Sequence, residues 1–231
     1  MSQPNASPSD AFADSSALSD YARKTARLVP GWADLQRMAA LLVAERAPQH
    51  ASVLVVGAGG GVELKAFAEM YSMWRFVGVD PSKPMLELAE STLGPLASRA
   101  LLHHGYVETA PEGPFDAATC LLTMHFVAVE ERLDMLREIR RRLVHGAPFV
   151  MAHMSFPQDD GERELWLSRY AAFAICSGVD PENARNAAST IGARLPILSP
   201  GDEEALLSDA GFTGVHLFYA GLAFRGWVAH A

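Results

Sequence analysis

The chain reads as an α/β protein of the Rossmann-like, doubly wound type: a mostly parallel sheet with helices on both faces and an antiparallel C-terminal hairpin strand. Three observations predict this. Short apolar runs alternate with amphipathic stretches of helical period between residues 52 and 153. The first run, Val53-Leu54-Val55-Val56, enters a glycine turn, Gly57-Ala58-Gly59-Gly60-Gly61. The second, Phe76-Val77-Gly78-Val79-Asp80, ends on an acid about twenty residues later, the spacing expected when one carboxylate holds two ribose hydroxyls.

Taken in order, residues 1–16 are rich in Ser, Pro, Ala and Asp and are expected to form a disordered tail. Residues 17–231 are expected to form a single domain, of a size that buries a full core. It opens with a helical cap over 17–46: a short helix from Leu18 to Leu28, a break at Pro30-Gly31, and a helix over 32–46. The second of these places Trp32, Leu35, Met38, Ala39 and Leu42 on one face. Strands at 52–56, 75–79, 100–103, 116–121 and 147–153 then alternate with helices at 60–71, 83–91 and 130–143. Ser82 stands where the second of those core helices needs an N-cap, with Pro84 tolerated in its first turn. Glu162–Cys176 and Pro181–Ala193 read as a helical insertion over 156–200, expected to cover a substrate pocket or to form a homodimer contact. A helix over Asp202–Ala210 ends at the capping glycine Gly211, and Val215–Tyr219 and Phe224–Val228 close the sheet.

The turn favours one nucleoside over a dinucleotide. A dinucleotide fingerprint needs a small sixth residue, so that helix and strand pack closely behind a pyrophosphate; here that residue is the branched Val62. Positive φ at the glycines and the following helix N-terminus suit a cofactor with a sugar and a carboxylate. With Asp80-Pro81-Ser82-Lys83-Pro84-Met85-Leu86 the chain resembles the class I S-adenosylmethionine-dependent methyltransferases. Val29-Pro30-Gly31-Trp32, Leu121-Leu122-Thr123-Met124-His125-Phe126 and Gly211-Phe212 are similar to the branch that contains the carboxy-S-adenosylmethionine synthases.

The resemblance implies a cofactor site for S-adenosylmethionine, with S-adenosylhomocysteine as product, formed by Gly57, Ala58, Gly59, Gly61, Asp80, Pro81, Met85, Gly105, Tyr106 and Leu122. Arg27 is a candidate partner for the methionyl carboxylate. Two positions depart from the family: Gly105-Tyr106 stands where Gly-Asp is usual, and Val55 replaces an acid of the first strand. His125 and His153 are the candidate general bases, since imidazole takes a proton near neutral pH.

Methyl transfer to a small-molecule acceptor is the expected activity, and the aromatic insertion suggests an apolar or aromatic acceptor. A carboxy-S-adenosylmethionine synthase acting in tRNA modification is the alternative, although Ala188 falls where those enzymes carry an arginine, with Arg185 and Arg194 nearby. A non-catalytic cofactor-binding protein is the third reading. A net charge of −8 argues against nucleic-acid binding. Arg140-Arg141-Arg142 is expected to be a solvated helix end. No apolar run of membrane-spanning length and no secretory signal is seen, which implies a cytoplasmic protein. Cys120 and Cys176 are expected to be buried free thiols, and no metal-ligand spacing appears.

Overall fold

The computed structural model describes residues 21–159 and 161–231, so the expected N-terminal tail lies outside the described residues. Seven strands form one sheet: β1 (Ser52–Val56), β2 (Arg75–Asp80), β3 (Ala100–His104), β4 (Ala117–Leu121), β5 (Pro148–Met154), β6 (Thr213–Gly221) and β7 (Phe224–His230). Their order is β3-β2-β1-β4-β5-β7-β6. β1 to β5 run parallel, and β7 runs antiparallel to both β5 and β6. β1 therefore sits at the point where the order reverses, between β2 and β4. Ligands of open α/β sheets bind there, outside the carboxyl ends of the strands.

Eight helices surround the sheet among the described residues: α1 (Tyr21–Leu28), α2 (Trp32–Ala44), α3 (Val62–Met70), α4 (Lys83–Leu93), α5 (Val129–Arg141), α6 (Glu162–Cys176), α7 (Pro181–Arg194) and α8 (Pro200–Asp209). β5 is buried along its whole length, as its unbroken Phe149-Val150-Met151-Ala152 run requires of a strand covered on both faces. Residues alternate between two cores. Val53, Val55 and Leu121 face the helices α2 and α3, while Leu54, Val56 and Cys120 face α5 and α8.

Several local details differ from the sequence reading. The buried face of α2 is Leu35, Gln36, Ala39, Ala40 and Val43, rotated from the expected one, with Trp32, Met38 and Leu42 at its margin. Ser82 occupies the N-cap of α4, but its side chain makes no capping bond. α8 starts two residues before the expected Asp202, because Ser199 and Asp202 form a reciprocal capping box around Pro200. Cys176 is exposed, not buried, and only Cys120 lies in the core.

The arginine run is a solvated helix end only in part, since Arg141 is exposed but its last member is not. Arg142 is fully buried. It donates to the Glu138 carboxylate and carbonyl and to the carbonyls of Glu108, Ala110 and Pro111. It thereby fastens the loop after β3 to the end of α5. The N-terminal Val29-Pro30-Gly31-Trp32 turn is fastened similarly, since the Tyr219 hydroxyl donates to the Pro30 carbonyl at 2.5 Å.

Candidate functional site

Three strand ends are tied together before any ligand is considered. The N–H groups of Gly57 and Ala58 both donate to the Val79 carbonyl, at 2.8 and 3.0 Å, and Gly105 N–H donates to the Asp80 carbonyl at 3.1 Å. Asp80 is almost wholly buried. Its two oxygens each accept one backbone N–H, from Gly59 at 2.9 Å and from Ser82 at 2.8 Å. Burial pushes this carboxyl above its usual range, while the Ser82 and Gly59 N–H groups and the nearby His104 pull it back.

Each glycine has its own reason. A Cβ on Gly57 would fall 1.9 Å from Thr123 Oγ1, so Gly57 makes room for the chain leaving β4. A Cβ on Gly61 would fall 2.7 Å from the Ala89 Cα, so Gly61 brings the start of α3 against α4. The close helix packing that a dinucleotide fold obtains at its sixth residue is thus obtained one residue earlier, and Val62 begins the helix. Gly59, at φ +48°, has only ordinary contact with Met85 and keeps bare backbone at the site.

These strand ends open onto a cleft of about 780 Å³. Gly57, Gly59, Asp80, Pro81, Met85, Gly105, Tyr106 and Leu122 line it. Ala58 and Gly61 are buried beneath it and shape the turn from behind. Arg27 is exposed on α1 and is not among the lining residues. Nor does the insertion over 156–200 supply any lining residue.

His125 and His153, the two candidate general bases, are also away from the cleft lining. Both are buried, their rings stacked with centroids 6.1 Å apart. Burial drives the His125 imidazole well below its ordinary range, helped by His153 and Arg132, and its Nδ1 accepts the Met154 N–H at 3.4 Å. His153 packs against Trp227 and faces Glu203 at 3.4 Å. The two histidines belong to a buried polar group, apart from the residues that line the cleft. Arg132 completes that group: it donates to Glu203 at 2.6 Å, to the Val127 carbonyl at 3.1 Å and to the Pro196 carbonyl.

Sequence reasoning named Leu122 but not its backbone conformation, and it missed the far wall of the site. Leu122 lines the cleft in left-handed backbone geometry, φ +58°, with its N–H held 2.5 Å from the Ala152 carbonyl of β5. A branched-chain residue there carries backbone strain that its neighbours must hold. The far wall comes from Glu108 and from the segment that runs from Phe126 into α5, including Glu130, Glu131, Asp134 and Met135. Nothing in the periodicity places that helix beside the β3 end; the buried Arg142 contacts do.

A nucleoside fits this arrangement. Each Asp80 oxygen uses one lone pair and keeps capacity for a hydroxyl donor, and the glycine turn beside it offers no Cβ to obstruct a sugar. Among the described residues no cluster of His, Cys, Asp and Glu could hold a metal ion, and no helix is long and apolar enough to cross a membrane.

Comparison with known proteins agrees. Residues 53–146 match the family described as a methyltransferase domain. The carboxy-S-adenosyl-L-methionine synthase of Pseudomonas paraeruginosa is 27% identical, over 88% of this chain and 84% of its own. That of Campylobacter lari is 20% identical over 94% and 92%. Among solved structures, a methyltransferase from Aquifex aeolicus superposes with a TM-score of 0.62 at 17% identity, covering 94% of this chain and 98% of its own. A putative O-methyltransferase from Nostoc punctiforme superposes with a TM-score of 0.65 at 21% identity, covering 87% of this chain but only 57% of the longer neighbour. These structural likenesses speak to the fold. The family match covers both the glycine turn and the acid-ended second strand, on the sheet order that brings them to one cleft, and over residues 53–146 the chain is similar to the class I S-adenosylmethionine-dependent methyltransferases.

Proposed function

We propose that the chain transfers the methyl group of S-adenosylmethionine to a small-molecule acceptor seated in the same cleft. The observation that carries this is continuity: one cleft joins the strand ends that suit the nucleoside to a second wall formed by Phe126, Val127 and the first turns of α5. The cofactor supplies an already activated methyl, so that the acceptor's lone pair forms the new bond to carbon as the carbon–sulfur bond breaks and sulfur keeps the electron pair. The protein's work is then to orient the acceptor in line and to exclude water. The glycine turn and Asp80 hold the nucleoside, and the Leu121–Thr123 segment borders it. No histidine lines the cleft, so the acceptor proton leaves to water or to a carboxylate of the far wall.

A second reading rests on the relatives named carboxy-S-adenosyl-L-methionine synthase. A cofactor bearing an added carboxylate needs a cation beside it. Ala188 is buried in α7, Arg185 and Arg194 are exposed, and no Lys, Arg or His is among the cleft-lining residues. This favours methyl transfer.

Incubation with S-adenosylmethionine carrying an isotopically labelled methyl, over a panel of small amines, phenols and thiols, tests the proposal. Acceptor-dependent S-adenosylhomocysteine with the label in the product supports it. A co-purifying nucleoside heavier by a carboxylate, without transfer to any acceptor, would replace it with the second reading.

A further inference from the structure

We infer that His103 and His104, the last two residues of β3, are positioning residues for the nucleoside, each bracing one segment of the cleft without lining it. This rests on the reading of the cleft as the nucleoside's site and adds two residues to that site.

Neither histidine is among the cleft-lining residues. They stand in register with Val79 and Asp80 of β2, and as strand neighbours their side chains leave on opposite faces. Each ring reaches a segment that does line the cleft. His104 Nε2 lies 3.0 Å from the carbonyl oxygen of Pro81, the lining residue that follows Asp80. A carbonyl oxygen only accepts, so this nitrogen carries the hydrogen. His103 Nε2 lies 2.9 Å from Thr109 Oγ1. That hydroxyl donates its own hydrogen to the Tyr106 carbonyl at 3.0 Å, so here too the imidazole Nε2–H is the donor.

These bonds close the turn Gly105-Tyr106-Val107-Glu108, every residue of which lines the cleft. The Thr109 N–H donates to the same Tyr106 carbonyl at 3.1 Å, and the Gly105 N–H ties the start of the turn to Asp80. Gly105 is fitted to this brace: a Cβ there would fall 2.7 Å from Thr109 Oγ1 and 3.0 Å from His103 Nε2. The glycine thus leaves room for the bond between the two side chains. β3 is an edge of the sheet, and neither ring is buried. A single hydrogen bond at such a surface adds little to folding. Two of them, one on the segment after β2 and one on the segment after β3, hold Pro81 and Tyr106 before a ligand arrives. Walls ordered in advance lose less freedom on binding, and the gain appears as affinity.

The test is calorimetric titration of the full chain with S-adenosylhomocysteine, in the native protein and in His103→Leu, His104→Leu, His103→Gln and His104→Gln. Leucine removes the donor, whereas glutamine offers an amide N–H at about the reach of Nε2. Each leucine variant should bind S-adenosylhomocysteine roughly three- to tenfold more weakly, the size of one net hydrogen bond, and each glutamine variant should stay within about twofold of native. Chemical denaturation of the same proteins reads the structural alternative. A merely structural pair lowers the denaturation midpoint of the leucine variants and leaves their affinity as it was. Unchanged affinity in either leucine variant, with or without that shift in midpoint, would overturn the inference. So would losses in the glutamine variants equal to those in the leucine ones. No binding of S-adenosylhomocysteine by the native chain would refute the nucleoside reading of the cleft, and the inference would fall with it.

Discussion

Asp80 is the residue on which most depends, and its two hydrogen bonds define what a substitution does. Asp80→Asn removes the charge and turns one acceptor into a donor facing the Gly59 or Ser82 N–H. We expect a 10- to 100-fold loss of affinity for S-adenosylhomocysteine, about 1.5 to 3 kcal/mol for a charge-assisted bond, checked by calorimetry. Glu63, in the first turn of α3, is a different kind of residue. It is buried, and desolvation pushes its carboxyl up to about 8, tempered by Thr119. The folded protein therefore binds this proton more tightly than the unfolded chain does. Stability from this group is full below pH 4.5 and is lost as the pH rises to about 8, by ~1.4 kcal/mol per pH unit. Glu63→Gln should flatten that slope: melting temperatures of variant and native protein should diverge between pH 5 and pH 8, with the variant higher at the alkaline end. A parallel decline in both would show that Glu63 titrates as an ordinary surface acid. Asp80 and the glycines were legible because their spacing is set by a local turn. The burial of His125 and His153 was not, because it depends on Trp227, Glu203 and Arg132, which come from distant parts of the chain.

At the level of elements, period and punctuation located the strands and α-helices of the described residues to within a few positions, but not the short 3-10 turns at 94–99, 107–109 and 124–126. The limits of periodicity show at α2 and at the end of α5. Gln36 lies on the buried face of α2 and Arg142 is buried just past α5, positions that a polar-outside rule assigns to solvent. Long charged side chains enter a core when it offers them partners, and the partners of Arg142 are carbonyls of a loop far away in sequence. Arg142→Met should destabilise the fold by about 3 kcal/mol or more, since it strips partners from Glu138 and from buried carbonyls. Chemical denaturation would check this, and a change below 1 kcal/mol would mean those carbonyls find water. Gly61→Ala tests the contact of α3 with α4. Its Cβ would meet Ala89 at 2.7 Å, and the residue sits at φ +78°, so a loss of about 1–3 kcal/mol is expected from crowding and strain together, read from the same denaturation curves.

At the scale of the whole molecule, the sheet order decides where function lies. Because β1 separates β2 from β4, the glycine turn, Asp80, Gly105 and the Leu121–Thr123 segment converge at one end of the sheet. The alternating pattern made that convergence legible in advance. It did not reveal that the far wall is acidic, because the approach of α5 to the β3 end is fixed by tertiary contacts alone. The insertion packs beside α1 and against β7, where Tyr170 meets Phe224 and Arg225 lies over Trp166. The most direct measurement of the central claim is a calorimetric titration of the full chain with S-adenosylmethionine, S-adenosylhomocysteine and NAD. Binding of the two sulfur nucleosides in the micromolar range, weakened in Asp80→Asn, with no heat from NAD, is the predicted result. Binding of NAD, or no binding of either sulfur nucleoside, would contradict it.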